Sequence, residues 1–536
     1  MASISIDSLV QEWLRLDKNP STRSEIEKLY AERNVDELEK RLRYRISFGT
    51  AGLRSSMQAG FSRMNDLIVI QTSQGLCMYL LDTIPSSPTR GVVIGHDHRY
   101  NSERFAKLSA AVFLSKGFIV YYYRELVHTP LVPYGVKKLN AVCGIMITAS
   151  HNPKQDNGYK VYWENACQII PPHDKGIADA ISNNLEPQIW DSELVNNNSL
   201  CIDKTKEISD SYFEEIKELS HYRDDNVNSN IKIVYTPMHG VGYPVAKNAF
   251  KAFSLNDFIV TKEQMNPDPD FPTVAFPNPE EGKGALALSI KTANEVGARI
   301  IFANDPDADR FAVAEKGKND EWVIFTGNQI GVMLASVILE YYKANDKLAM
   351  LSTAVSSKML STMAKKEGFY FEETLTGFKW LGNAAIKLSK EGYKVLFAYE
   401  EAIGFMIGEI VRDKDGISAL ALFGELVIQL KKRGIEIRDY LEELYQKYGY
   451  FVSDNSYFIC NSPVTIDTIF NKIRFGDNPI KSSDPDYPYP YLISYPENIG
   501  GSDREEVMKE LKKIIEGVAN ELLEPQKYGL GYRLND

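Results

Sequence analysis

A serine that follows a strongly apolar segment is the first residue in this sequence with a clear chemical use. Ser150 lies in the hexapeptide Thr-Ala-Ser-His-Asn-Pro, residues 148–153, directly after the run Ala-Val-Cys-Gly-Ile-Met-Ile. Such a run predicts a buried strand, and ligands bind at strand ends in open α/β sheets. The hydroxyl could therefore carry a group, and the cation Lys160 follows within the next predicted loop. The alternative is an ordinary turn whose side chains cap their own backbone, and the hexapeptide alone favours that alternative.

Three carboxylates form a second candidate site. Asp305, Asp307 and Asp309 alternate with other residues in a loop that contains proline. Carboxylate oxygens suit Mg²⁺, and three like charges on a tight loop repel each other unless a cation is present. An EF-hand would need glycine and glutamate at positions that hold Arg310 and Lys316, so that reading fails. The triad therefore predicts a metal site, with a solvated acidic loop as the alternative.

Two further segments could bind a phosphorylated sugar. Glu400 and Glu401 follow a predicted strand and suit hydrogen bonds to vicinal hydroxyls, although such a pair is often plain surface. Lys379 and the tryptophan after it could serve a phosphate and a sugar face. In residues 48–54, two glycines allow a tight loop whose N–H groups face an anion, while Arg54 supplies a fork of donors. Alone, a glycine turn with a surface arginine explains that segment better.

The apolar pattern predicts the elements that present these residues. Strands at 91–97, 118–123 and 141–147 alternate with helices, which implies crossover connections and a largely parallel sheet. The plan recurs in a unit that begins near residue 231, and again from the strand at 322–327. The predicted fold class is α/β, with three consecutive α/β units of mixed, largely parallel sheets around a central cleft. One cleft shared by the three strand-end loops is the economical explanation.

Chain length and polar segments predict the domains. At about 150 residues per domain, 536 residues correspond to three or four domains. The predicted parts are a helical arm (1–45), a serine domain (46–210), a metal domain (211–320), a sugar domain (321–440) and a smaller C-terminal α+β domain (441–536).

Composition restricts the partners and the compartment. A net charge of −11 argues against nucleic acid as the main partner. Five scattered cysteines without a CxxC pair are typical of a reducing compartment. The longest uncharged apolar stretch, residues 331–339, is too short for a bilayer span. We expect a cytoplasmic protein that binds neither nucleic acid nor membrane.

Two other patterns suggest alternatives. Gly240 and Gly242 lead into a predicted helix like the start of a nucleotide-binding turn, but the full GxGxxG pattern with its later acidic residue is missing. A nucleotide-binding oxidoreductase therefore has weak support. His96 and His98 are two apart on an extended segment and point to opposite faces. We interpret them, with Arg99, as strand-end residues near the cleft rather than as metal ligands.

Together the motifs resemble the α-D-phosphohexomutase superfamily from about residue 45 to about residue 460. Residues 148–153 look like its phosphoserine loop, 305–310 its Mg²⁺ loop, 399–404 its sugar-recognition loop and 48–54 a phosphate contact. Within the family, the sequence is most similar to the phosphopentomutase-type phosphoglucomutases, which include the glucose-1,6-bisphosphate synthases. Ala402 favours this branch, since other phosphoglucomutases are expected to have serine there.

The resemblance implies a phosphosugar mutase that works through a phosphoserine and a sugar bisphosphate. It would interconvert 1-phosphates with 6-phosphates of hexoses or 5-phosphates of pentoses, as a monomer activated by a bisphosphate such as glucose 1,6-bisphosphate. Mg²⁺ would be held by phosphorylated Ser150 and the three aspartates, with Lys160 and His151 as candidate acid/base groups. The implied substrate-binding residues are Arg54, Arg310, Thr376, Gly377, Lys379, Glu400 and Glu401.

The C-terminal part departs from the family pattern. The family's phosphate clamp is an Arg-x-Ser-Gly-Thr-Glu-Pro loop, and no Ser-Gly-Thr occurs in this chain. Residues 475–503 are instead rich in proline and aspartate, which disfavours a sheet interior. We therefore expect a truncated fourth domain and weak binding of the phosphate that is not transferred. A catalytically silent family member and a glucose-1,6-bisphosphate synthase remain alternatives.

Overall fold

The computed structural model describes residues 4–49, 52–282, 284–342 and 347–453, and four positions between 465 and 469. The chain divides into one unit up to Val452 and another from Ser453 onwards. All that follows concerns the first of these units. The predicted truncation of the fourth domain falls on residues that lie, apart from those few, outside the described ones, so it stays a prediction.

The N-terminal arm consists of three helices. They are α1 (Ile6–Leu16), α2 (Pro20–Ala31) and α3 (Val35–Leu42). Each helix begins after a polar residue whose side chain accepts a backbone N–H, namely Ser5, Asn19 and Asn34. Trp13 of α1 is fully buried, and its ring meets that of Phe61 edge-on at 5.2 Å. The arm is thus part of the core of the first α/β region.

The first sheet has six strands. Its elements are β1 (Leu53–Ser56), α4 (Asp66–Thr83), α5 (Ser87–Arg90), β2 (Val92–His96), α6 (Ser102–Ser115), β3 (Val120–Tyr122), α7 (Leu131–Leu139), β4 (Cys143–Ile147), β5 (Asp156–Trp163), α8 (His173–Ser182), α9 (Leu194–Asn197) and β6 (Cys201–Ile202). The strand order is β1-β5-β4-β2-β3-β6. Strands β2, β3, β4 and β6 pair in parallel, while β5 runs antiparallel to both β4 and β1.

The second sheet has five strands in the order β11-β10-β9-β7-β8. This region contains α10 (Thr205–Lys217), α11 (Arg223–Val227), β7 (Ile233–Thr236), α12 (Gly242–Ala252), β8 (Ile259–Val260), two 3-10 turns (Lys262–Gln264 and Pro279–Glu281), α13 (Ala287–Val296), β9 (Ile300–Asn304), β10 (Phe311–Lys316) and β11 (Trp322–Ile324). The prediction that strand β11 begins the third unit is wrong. Strand β11 pairs antiparallel with β10, because the turn between them is short enough to extend the hairpin.

The third sheet has four strands in the order β13-β12-β14-β15. The elements are α14 (Gly327–Tyr341), β12 (Leu348–Thr353), α15 (Met359–Glu367), β13 (Tyr370–Thr374), α16 (Phe378–Lys390), β14 (Lys394–Glu400), β15 (Gly404–Ile407), α17 (Gly416–Arg433) and α18 (Ile437–Tyr448). Strands β12, β13 and β14 are parallel, and β15 is antiparallel to β14.

The three sheets share one plan. The orders β5-β4-β2-β3, β10-β9-β7-β8 and β15-β14-β12-β13 are equivalent, with the first strand of each set antiparallel to the second. Each candidate loop joins a parallel strand to this antiparallel partner: β4 to β5, β9 to β10 and β14 to β15. The predicted three mixed, largely parallel α/β units are confirmed. The serine, the acidic triad and the glutamate pair therefore occupy the same position in three copies of one topology.

The second and third sheets share a continuous apolar core. Helix α17 is buried along most of its length, and its Phe423 packs edge-on against Phe302 and tilted against Phe311, at centroid distances of 6.0 and 5.8 Å. This core fixes the loop after β9 relative to the loop after β14. In the described part of the chain, no helix has both the length and the apolar character needed to cross a bilayer.

Candidate functional site

Ser150 meets the acidic triad of the second sheet. Its Oγ donates a hydrogen bond of 3.0 Å to Asp305 Oδ2 and lies 3.3 Å from His151 Nδ1. The serine adopts a left-handed backbone with φ of +53°, and its N–H donates to Thr148 Oγ1 at 2.9 Å. Only 3% of the residue is exposed. The fold thus brings together the two sites that the sequence placed 155 residues apart.

Asp305, Asp307 and Asp309 form a compact, fully buried cluster. One carboxylate oxygen from each residue lies within 4.8 Å of the others, so that a single cation could contact all three. Among the described residues, Asp307 Oδ1 and Asp309 Oδ1 have no hydrogen-bond partner. Burial and the charges of the other two aspartates raise the pKa of Asp305 well above its usual value. Buried carboxylates with unpaired oxygens are what a hard divalent cation would satisfy.

Lys160 neutralises part of this charge from the first sheet. Its Nζ donates to Asp307 Oδ2 at 2.8 Å and to Asp309 Oδ2 at 3.1 Å. The prediction that this lysine lies in the loop after the serine is wrong, because Lys160 lies within strand β5, opposite Met146 of β4. Against the effect of burial, the two aspartates raise the pKa of Lys160, and the lysine in turn lowers that of Asp307. The ammonium group is therefore held as a cation.

Thr129, which the sequence analysis missed, fixes the central aspartate. Its hydroxyl donates to Asp307 Oδ2 at 2.5 Å, and its backbone N–H donates to the Asp307 carbonyl at 2.9 Å. The residue precedes α7 in the first α/β region. Nothing in a threonine before a helix signals such a contact, because the partner lies in a different sheet.

Arg54 and His151 flank the serine. Arg54 Nη1 donates to Asn152 Oδ1 at 3.1 Å, and its side chain is largely exposed. Gly52 has φ of +72°, and a Cβ there would lie 1.9 Å from the Tyr159 carbonyl oxygen, so only glycine lets this segment reach β5. Burial, with the cations Arg310 and Arg54 nearby, lowers the pKa of His151 well below its usual value. Residues 50 and 51 lie outside the described chain.

Arg310 connects the metal loop to the sugar loop. Its backbone N–H donates to Asp305 Oδ1 at 3.0 Å, and its Nη1 donates to the Ala402 carbonyl at 3.0 Å. The same guanidinium lies 3.3 Å from Glu280 Oε2 and 3.9 Å from Glu400 Oε1. Although burial of most of the side chain opposes it, the surrounding carboxylates keep the pKa of Arg310 above the usual value. This cation is therefore held at the junction of two of the three candidate loops.

The two adjacent glutamates have different neighbours. Glu400 is 7% exposed, and burial raises its pKa against the opposing charges of Lys414 and Arg310. Glu401 Oε2 accepts hydrogen bonds from Thr353 Oγ1 at 3.1 Å and Ser356 Oγ at 3.5 Å. Glu400 is thus the one that borders the metal loop.

The remaining predicted substrate residues lie at the N-terminal end of α16. Thr376 is exposed, Gly377 has φ of +109° and Lys379 is half-buried, with its Nζ 5.9 Å from the Trp380 ring centroid. Phe378, the first residue of α16, links this end to the cleft, because its ring centroid lies 5.4 Å from Lys414 Nζ.

Lys414 is a second cation at the triad that the sequence analysis missed. Its Nζ lies 3.3 Å from Asp309 Oδ2 and 3.4 Å from Asp413 Oδ1. Asp413 in turn accepts a hydrogen bond of 2.8 Å from Gln168 Nε2 of the first region. The run Arg-Asp-Lys-Asp-Gly at residues 412–416 precedes a buried helix and was the available signal.

The glycine turn that resembled a nucleotide site packs on the metal loop instead. A Cβ at Gly240 would lie 2.3 Å from Pro306 Cα, and the Val241 N–H donates to the Pro306 carbonyl at 2.9 Å. Close backbone approach to this proline accounts for the glycine. Of the two histidines near the cleft, His96 Nδ1 lies 3.0 Å from the Asp97 carbonyl, and the His98 ring packs edge-on against Phe271.

A serine set against a buried carboxylate triad, with cations around both, defines a site suited to metal-assisted phosphoryl transfer. Three stretches match successive α/β/α domains of phosphoglucomutase/phosphomannomutase: residues 45–188 match domain I, 210–318 domain II and 326–448 domain III. The chain belongs to the phosphoglucomutase/phosphomannomutase family, and relatives such as phosphopentomutase and phosphoribomutase are phosphosugar mutases of the isomerase class.

Several characterised proteins are similar over most of the chain. Human phosphopentomutase is 48% identical over 487 residues, which cover 88% of this chain and 80% of the relative. Phosphoribomutase of Saccharomyces cerevisiae is 48% identical, covering 86% and 78%. Human glucose 1,6-bisphosphate synthase is 46% identical, covering 88% and 79%.

Solved structures agree on the fold. Parafusin (phosphoglucomutase) from Paramecium, in its open form, superimposes with a TM-score of 0.59 at 19% identity, over 75% of this chain and 74% of that one. A phosphoglucomutase/phosphomannomutase family protein from Burkholderia thailandensis gives 0.57 at 17% identity, over 74% and 79%.

Proposed function

We propose that this chain is a phosphosugar mutase that uses Ser150 as its phosphoryl carrier. It would exchange the 1-phosphate and 5-phosphate of a pentose, or the 1-phosphate and 6-phosphate of a hexose. The observation that carries the proposal is the 3.0 Å contact between Ser150 Oγ and Asp305 Oδ2. This contact sets a nucleophilic hydroxyl against a buried cluster of three carboxylates.

The aspartate triad would hold Mg²⁺ together with the phosphate on Ser150. The unpartnered oxygens of Asp307 and Asp309, noted among the described residues, support this ligand set. When bound, the ion supplies positive charge that offsets the charge of the travelling phosphoryl group. Lys160 and Lys414 add fixed cations on either side of Asp309, at 3.1 and 3.3 Å from its Oδ2.

The chain's own residues would handle the proton and the sugar. A sugar hydroxyl gives up its proton as its oxygen bonds to phosphorus, the bond between phosphorus and Ser150 Oγ breaks, and Oγ takes up a proton to become a hydroxyl again. Lys160 and His151 are the candidate groups for moving that proton, and His151 Nδ1 lies 3.3 Å from Ser150 Oγ. The resulting bisphosphate reorients in the cleft, and its other phosphoryl group is transferred to the serine by the reverse step.

The opposite side of the cleft would bind the sugar and its second phosphate. Glu400 and Glu401 would accept hydrogen bonds from sugar hydroxyls. Arg54, beside the serine loop, and Arg310, in the metal loop, would contact phosphate. The N-terminal end of α16, with Thr376, Gly377 and Lys379, adds backbone donors and a cation. We expect a sugar bisphosphate as activator, since it can place the first phosphate on the serine, and we expect a cytoplasmic monomer.

Glucose 1,6-bisphosphate synthase is the second candidate. The chain is 46% identical to the human synthase, which is close to its 48% identity with human phosphopentomutase. Both activities would use the same serine and metal site, so only the phosphoryl donor and the released product separate them.

The experiment is a comparison of wild type, Ser150→Ala and Ser115→Ala in mutase assays with ribose 1-phosphate and glucose 1-phosphate. Ser115 is the control, because its hydroxyl bonds only the Val112 carbonyl in α6. We expect phosphate on Ser150 by mass spectrometry and no turnover in Ser150→Ala, while Ser115→Ala keeps its activity. Most of the wild-type activity in Ser150→Ala would refute the proposal. The ratio of kcat/KM for the two sugars assigns the substrate.

A further inference from the structure

Arg99 binds the inner side of the loop that carries Ser150. Its Nη2 donates to the carbonyls of Ser150 at 2.5 Å and Asn152 at 2.7 Å, and its Nη1 donates to that of Pro153 at 2.9 Å. The arginine side chain is completely buried. One guanidinium thus donates to three carbonyls of the turn at residues 150–153. Its planar fork spreads these donors over two nitrogens, whereas an ammonium group would have to reach all three carbonyls from one nitrogen.

The loop needs such support because of its backbone. Ser150 has φ of +53°, a left-handed conformation that is unfavourable for residues with a side chain and persists only when the surroundings hold it. Turning the serine out of this conformation would move Oγ away from Asp305. The bond to the Ser150 carbonyl is buried, so loss of Arg99 would remove a donor from a carbonyl that is shielded from water.

Arg99 is itself held from two sides. Asp97 Oδ2 lies 3.4 Å from its Nε, and Asp97 Oδ1 accepts its backbone N–H at 3.0 Å. From the second region, the Phe271 ring lies 5.0 Å from the guanidinium carbon. The neighbouring Asp270 pairs with Lys154 of the serine loop at 3.0 Å. The loop is therefore fixed both to the first sheet and to the part of the chain that supplies the metal site.

We propose that Arg99 is a positioning residue: it holds Ser150 in the conformation that presents Oγ to the aspartate triad. The inference rests on the proposed role of Ser150 as phosphoryl carrier. Arg99 contacts the loop backbone, so its loss should slow phosphoryl transfer to and from the serine while leaving the groups assigned to sugar binding in place.

The test uses Arg99→Lys, with Arg104→Lys as the matched control. Arg104 is a nearby arginine, but it pairs with Asp66 and is partly exposed, with no bond to the serine loop. We measure the rate at which glucose 1,6-bisphosphate phosphorylates Ser150, together with kcat, KM and the melting temperature. In Arg99→Lys we expect the phosphorylation rate and kcat to fall about a hundredfold, as for a misplacement near 1 Å. KM should stay within a few-fold, and Arg104→Lys should match wild type.

Several outcomes would overturn the inference. A wild-type phosphorylation rate in folded Arg99→Lys would do so, as would a loss that appears only in KM. If Arg99→Lys does not fold, the phosphorylation rate of Ser150 is measured in Asp97→Asn and Phe271→Leu, because both variants weaken the contacts that hold Arg99 without removing it. A slower rate in these variants supports the inference. An unchanged rate overturns it. Absence of phosphate on Ser150 in the wild type would instead remove the proposed function itself.

Discussion

Ser150 Oγ and Asp305 Oδ2 lie 3.0 Å apart, and this contact joins the loop after β4 to the loop after β9. Both loops occupy the same place in equivalent sheets, so the two α/β regions present corresponding edges to each other. A phosphate on this serine would bring up to about two further negative charges beside three buried carboxylates. Two lysines and Arg310 offset only part of that charge, which makes a bound cation the central expectation for the site.

Mg²⁺ should stabilise the folded protein through the aspartate triad. With the ion at a hundred times its Kd, we expect a gain of about 2.7 kcal/mol, seen as a higher melting temperature. Asp305→Ala should abolish this gain, and EDTA should abolish mutase activity until Mg²⁺ is restored. Asp320→Ala is the control, since its carboxylate is 81% exposed and far from the triad in the fold. The same Mg²⁺ shift in Asp305→Ala and wild type would contradict the assignment.

Lys160→Met should destabilise the metal-free protein by about 3–5 kcal/mol, because it leaves the buried Asp307 without its lysine and Asp309 with Lys414 as its remaining lysine partner. The bonds lost are those to Asp307 at 2.8 Å and Asp309 at 3.1 Å. Added Mg²⁺ should recover part of the loss. Urea unfolding with and without the ion measures both effects.

Lys154→Met is the matched control for that measurement. Lys154 pairs with Asp270, but both side chains are about half exposed. An exposed pair contributes less than about 1 kcal/mol. Equal losses in the two variants would show that Lys160 is not an essential counter-charge.

Much of the fold could be predicted because it depends on local pattern. The apolar runs that lead to Ser150, Asp305 and Glu400 form β4, β9 and β14, and the polar groups at the end of each strand or directly after it are the candidate site. A buried strand is recognised from consecutive apolar residues, so the position of each loop can be predicted from the residues next to it.

The predictions that were wrong concern pairing between segments that are distant in the sequence. The sequence predicts a loop position for Lys160, because nothing in residues 156–163 shows that they return antiparallel to β4. Strand β11 was assigned to the wrong sheet for the same reason. Arg99 and Lys414 act on carbonyls and carboxylates far away in the sequence. Such contacts are set by tertiary packing, and residue type alone does not disclose them.

Asp415→Ala should cost about 3 kcal/mol, the sum of a lost helix cap and an unpaired buried hydroxyl. Asp415 Oδ1 accepts the N–H groups of Ile417 and Ser418, both at 3.1 Å, at the start of buried helix α17. Tyr212 donates its hydroxyl to the same carboxylate at 2.8 Å. Urea unfolding should show a larger loss than Asn34→Ala, which removes only the cap of the peripheral helix α3. A loss no greater than that of Asn34→Ala would contradict this account of α17.

The stability of the protein should fall at mildly acidic pH because of His128. This histidine is 1% exposed, and its ring packs edge-on against Tyr212 at 5.1 Å. Burial lowers the pKa of His128 to about 3, against the opposing charge of Asp307. The unfolded chain binds a proton below a pKa of about 6.5 while the folded chain does not, so stability is lost as pH falls from about 6.5 towards 3. At pH 5 the expected loss from this one group is about 2 kcal/mol.

His128→Gln separates this effect from other titrations. The variant has no group to protonate, so its stability relative to wild type should improve by about 2 kcal/mol between pH 7 and pH 5. Unfolding free energies in urea at the two pH values give that difference directly. His173→Gln serves as the comparison, because His173 is only half-buried and contacts Tyr79 and Trp163 at the surface of α8, where a proton is easier to accommodate. The difference in unfolding free energy between wild type and His128→Gln could instead be the same at both pH values. That result would mean that the folded protein accepts the proton, and that burial does not hold His128 neutral.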